Sequence, residues 1–111
     1  MKVLIIVLNK TEYLEDVLSI LVKHNVKGAT TLDSQGMAST IVNNDITDIP
    51  LFGSLKNLLI DRHPYNKTIF TVIKNQEKLY KVVEAIQYLL KDEKKPDGGF
   101  MFTIPVDEIF C

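Results

Sequence analysis

An α+β sandwich of ferredoxin-like βαββαβ order is the fold class this chain predicts, with a long insertion between strands two and three. Three observations carry that expectation. Residues 2–8, 68–73 and 100–104 are apolar runs of strand length, rich enough in large side chains to need cover on both faces. Two segments between them repeat apolar residues at the three- and four-residue spacing of a helix. Helices in this arrangement cover only one side of the sheet, so the other side must meet more protein.

Residues 3–8 form an unbroken aliphatic strand, which suits a central position buried on both faces. Thr11 is the expected cap of the helix that follows, whose stripe is Leu14, Val17, Leu18, Leu21 and Val22. Glu12, Glu15 and Asp16 stand at its positive end and Lys23 and His24 at its negative end, the placement that the helix dipole favours. Asn25 or Gly28 ends it. Residues 29–35, with β-branched Thr30 and Thr31, suit a second strand running back beside the first, and Gly36 stops it.

The insertion at residues 37–67 far exceeds the ~2–5 residues of an ordinary hairpin loop, so it is either functional or structured in its own right. Ile41, Val42, Ile46, Ile49, Leu51 and Phe52 are more apolar than a solvated loop requires. Ser54 with Leu55, Leu58 and Leu59 reads as a short capped helix over 54–61. Residues 68–73 are the third strand. Asn75 caps a second helix striped by Leu79, Val82, Val83, Ile86, Leu89 and Leu90. A charged exit at 91–95 leads to the turn Pro96-Asp97-Gly98-Gly99 and the last strand at 100–104. Right-handed crossovers set strands one and three side by side in the middle, giving the order 4-1-3-2 with both helices on one face.

Composition bounds the function. At 111 residues and 46% hydrophobic, the chain fits one domain. Thirteen basic and fourteen acidic residues leave a net charge of -1, and no basic stripe with interleaved aromatics marks a nucleic-acid surface. The apolar run at 3–8 is far shorter than the ~20 residues of a membrane span and lacks the flanks of a signal peptide, so a cytoplasmic protein is expected. A single cysteine, Cys111, excludes an internal disulfide and argues against structural zinc.

Catalytic chemistry finds little footing. His24 and His63 have no serine or cysteine partner at motif spacing. Adjacent carboxylates at 15–16, 92–93 and 107–108 diverge on any regular element. No Walker-type loop is present, since Gly36 is not followed by a GK[ST] ending. The protein is therefore not expected to be an enzyme. Gly36 and the Asp97-Gly98-Gly99 turn are better candidates, because backbone N–H groups beside glycines approach a ligand closely; the alternative is plain turn chemistry. Arg62, the only arginine, and Lys67 are candidates for an anionic ligand or a neighbouring subunit's carboxylate, set against simple surface charge.

At these residues the chain resembles the PII nitrogen-regulatory family of trimeric signal-transduction proteins, which bind adenine nucleotides and 2-oxoglutarate between subunits. Leu14-Glu15-Asp16-Val17 is similar to that family's helix-one opening. Gly28-Ala29-Thr30-Thr31-Leu32-Asp33-Ser34-Gln35-Gly36 fits its second strand up to the T-loop base, and Asp97-Gly98-Gly99-Phe100-Met101-Phe102 resembles its B-loop and last strand. Phe102-Thr103-Ile104-Pro105-Val106-Asp107 is also similar to the last strand of PII-like cyclic di-AMP receptors. The resemblance implies a homotrimer with ligand clefts at its seams. It places Thr30, Gly36 and Met37 at the loop base, Asp97, Gly98 and Gly99 across the cleft toward an adenine or ribose, and Lys67 or Arg62 toward an anion.

Departures from the family pattern qualify the ligand. Gly99 stands where the B-loop carries a lysine, the residues after the last strand hold no arginine, and residues 37–48 have no counterpart of the modified tyrosine. Each absent charge-assisted hydrogen bond removes ~1.5–3 kcal/mol, at least tenfold in affinity. AMP, ADP, ATP or cyclic di-AMP are thus the regulatory ligands to test, with a less charged adenine compound, or none, favoured over a triphosphate. The expectation is a sensor that regulates a partner protein through residues 37–67. Its alternative is a ligand-free trimeric adaptor. A ferredoxin-like enzyme or metal binder similar in shape to copper-tolerance proteins lacks a ligand cluster in the sequence.

Overall fold

Strand β1 (Lys2–Leu8) fixes the middle of the sheet. Its alternate residues Leu4, Ile6 and Leu8 are fully buried, and its remaining residues are half-covered. The computed structural model describes residues 1–37, 65–91 and 98–111. Within them β1 is followed by a short 3-10 turn (Thr11–Tyr13), α1 (Leu14–Lys23), β2 (Thr30–Gln35), β3 (Tyr65–Ile73), α2 (Gln76–Leu90) and β4 (Gly99–Pro105). The sheet order is β2-β3-β1-β4 and every pairing is antiparallel. That is the expected 4-1-3-2 order. β2 pairs with β3 at the edge, so the strand expected to return beside the first is separated from it by β3.

Local rules account for most boundaries. The Asn75 side chain accepts the Lys78 N–H at 3.0 Å and caps α2 as expected. Thr11 does not cap α1; it opens the 3-10 turn, the helix begins after Tyr13, and no side-chain cap bond is made there. Three residues of tighter winding move the helix start past the reach of the Thr11 hydroxyl. At the other end the His24 N–H and its ring Nδ1 both reach the Ile20 carbonyl, at 3.1 and 2.8 Å, and Asn25 takes a left-handed φ of 60° that turns the chain out of the helix. β3 starts at Tyr65, three residues before the apolar run, because Asn66 and Lys67 find ladder partners in β2.

Both helices cover one face. Val17 and Leu21 of α1 and Leu79, Val82 and Ile86 of α2 pack with Leu4, Ile6, Leu8, Ile69 and Ile73 into the core, flanked by Leu14, Leu18, Val83, Leu89 and Leu90. Val22, expected in the α1 stripe, is 70% exposed. At 100° per residue it lies one step past Leu21 and leaves the buried arc. Thr71 is buried on the same side and donates its hydroxyl to the Gly28 carbonyl, which ties the start of β2 to β3.

The opposite face carries Leu32, Phe70, Val72, Phe100, Phe102 and Ile104, all exposed. Their register partners confirm the shared side: Val3 pairs with Val72 and Ile104, and Ile5 pairs with Phe70 and Phe102. The rings of Phe100 and Phe102 stack with centroids 6.1 Å apart. Among the described residues, no helix is long and apolar enough to cross a membrane.

Candidate functional site

Five of the nominated residues meet at one end of the sheet. Leu8, the last residue of β1, is the register partner of both Gly99 and Lys67, and Lys67 is the partner of Asp33. One row, Gly99, Leu8, Lys67 and Asp33, therefore crosses all four strands over roughly 14 Å, at ~4.8 Å per strand. Gly36 and Met37 follow the end of β2, three and four residues beyond Asp33 in the direction of the loop, and Gly98 precedes Gly99. Thr30 does not join them: it opens β2 on the other side of the row, six residues from Gly36 and so roughly 20 Å away along the strand, opposite Phe70 on the open face. Arg62 and Asp97 lie outside the described residues, as does the expected short helix at 54–61.

The glycines have local reasons to be glycine. The Gly98 carbonyl accepts the N–H groups of Asn9 at 2.9 Å and Lys10 at 3.1 Å, which docks the turn onto the end of β1. Gly99 has φ +155°, and a Cβ there would sit 2.4 Å from the Val7 carbonyl oxygen. Only glycine permits β4 to enter the ladder so close to β1. Lys67 is also engaged, because its ammonium pairs with the Asp33 carboxylate across the β2–β3 ladder. An anion reaching Lys67 must compete with Asp33 or bridge the pair.

At the same sheet end, but on the open face rather than the helix-covered face that the row shares with Leu8, lies a neutral polar cluster that no sequence pattern marks. The Ser34 hydroxyl donates to the Asn66 side-chain oxygen and lies 2.7 Å from the Thr68 hydroxyl. Asn66 is buried, and among the described residues no buried side-chain polar atom lacks a partner. Ser34 lies 32 positions from Asn66 and 34 from Thr68, and only the register Ser34 to Asn66 reveals that they converge. The helix face holds a second feature, an open groove of about 830 Å³ lined by Tyr13, Ile20, His24, Lys81, Tyr88 and Leu89 among others. None of the nominated residues lines it. No group of three or more metal-ligating side chains occurs among the described residues.

Compared with known proteins, the sequence matches no family model and no curated protein.

Proposed function

We propose that this protein is a PII-like regulatory protein: a homotrimer assembled through its open sheet faces, with a small ligand held where subunits meet. The ligand site lies at the sheet end bearing Gly36, Met37, Lys67, Gly98 and Gly99. Residues 37–67 engage a target protein in a manner the ligand biases. The supporting observation is the row Gly99–Leu8–Lys67–Asp33, which brings the base of that segment and the glycine turn to one end of the molecule. A ligand acts there by binding one arrangement of the segment better than another. The neutral Ser34, Asn66 and Thr68 groups on the open face at this sheet end, where subunits would meet, and a lysine already paired with Asp33, support a ligand of low charge such as an adenine or ribose moiety.

Calorimetry and thermal-shift measurements with AMP, ADP, ATP and cyclic di-AMP test this reading. A heat of binding with a rise in melting temperature is expected, stronger for the less charged compounds. The absence of both for all four removes the nucleotide from the proposal.

The adaptor reading is favoured by a different observation: Gly98, Gly99 and Lys67 are all accounted for by contacts inside the chain. Hydrogen exchange over residues 37–50 separates the two. Exchange that slows only on ligand addition supports the sensor, and uniform protection without ligand supports the adaptor.

A further inference from the structure

Residues 106–111 overrun the sheet. The Val106 N–H still bonds to the Met1 carbonyl at 3.1 Å, one step past the last β1–β4 pair, Lys2 with Pro105. Beyond it the segment has no ladder partner among the described residues and carries Ile109, 40% exposed, and Phe110, 86% exposed. An aromatic ring left this bare has unfavourable contact with water.

The open face has the complementary deficit. A large aromatic side chain presents ~150–250 Å². At their observed exposures, Leu32, Phe70, Val72, Phe100, Phe102 and Ile104 leave on the order of 500–600 Å² of largely apolar surface uncovered. That falls short of the ~800 Å² each partner contributes to a standard interface. Adding Ile109 and Phe110 brings each copy to about 800 Å². Charge points the same way. The segment is acidic at Asp107 and Glu108, whereas the sheet end it leaves holds Lys2, the partner of both Pro105 and Ile73, with Lys74 next along the chain from Ile73. In a cyclic assembly every copy presents that basic end on the same side as the departing segment.

We infer that residues 106–111 form an exchanged arm, with Ile109 and Phe110 of one copy packing on the open sheet face of a second copy of this chain. The inference rests on the self-association proposed above and names the segment that completes it. The arm and the face are each insufficient alone, and exchange around the ring, each arm onto the next copy, satisfies both in every subunit.

The test uses the full chain. Sedimentation and light scattering of the Ile109→Ser, Phe110→Ser double variant should show the subunit dissociation constant raised at least tenfold, with an unchanged circular dichroism spectrum. Cys111, an exposed residue of the arm itself next to Phe110, accepts a benzophenone maleimide. Photolysis of mixed isotopically heavy and light chains should give heavy–light crosslinks to peptides of β2, β3 or β4. Dissociation equal to wild type, or crosslinks confined to one chain or to helix peptides of another, overturns the arm while leaving the assembly standing. A wild-type chain that is monomeric at micromolar concentration overturns both the assembly and the arm.

Discussion

At the scale of single residues, the glycines divide sharply. Gly99 combines φ +155° with a would-be Cβ 2.4 Å from the Val7 oxygen, a backbone atom in the central strand that cannot swing aside. Gly99→Ala is expected to cost about 2–4 kcal/mol, from positive-φ strain and overpacking together. Gly28, whose Cβ would meet nothing within 4 Å, should accept alanine within about 0.5 kcal/mol. Urea unfolding of the two variants checks the contrast, and equal midpoints would contradict it. This division was hidden in the sequence, where Gly98-Gly99 reads equally as a turn or a ligand cradle. What decides it is the Leu8–Gly99 pairing, a contact ninety-one positions apart that no local pattern encodes.

At the scale of elements, legibility followed the range of the forces involved. The α2 stripe and the Asn75 cap depend on residues three or four apart, and both were readable. Asn75→Ala should lower stability by about 1 kcal/mol, and Ile86→Ala, deep in the core, by about 2–5 kcal/mol. Denaturant midpoints measure both; a larger loss at Asn75 than at Ile86 would mean that capping outweighs packing in this helix. Thr11 shows the limit of such reading. It has the right chemistry for a cap, yet the chain leaves β1 through a bend tied to Gly98, and that tertiary tether selects a 3-10 turn instead. The start of β3 was misplaced for a related reason: Asn66 and Lys67 look like loop residues until Ser34 and Asp33 are set opposite them. The Ser34, Asn66 and Thr68 cluster shares that origin, since each residue alone is an ordinary polar strand residue.

At the scale of the whole molecule, the open face follows from counting layers. Among the described residues two helices cover one side of four strands, and the sequence places large apolar residues on the other side of β4 and β3 at alternate positions. An apolar surface of that kind can be relieved only by another surface, because its residues already lie outside the core that specifies the monomer. Phe70→Glu with Phe102→Glu should therefore separate assembly from folding. Charges placed on the exposed face meet water in the monomer but like charges and lost hydration in the proposed assembly. Light scattering is expected to show monomers at micromolar concentration, while the circular dichroism spectrum and melting behaviour remain those of a folded domain. A variant that unfolds would indicate that the face belongs to the core of a single chain, and one that stays assembled would place the subunit contacts on the helix side. The two substituted positions share the register row of Ile5, so the pair probes the middle of the face and leaves the arm and the row at Leu8 intact.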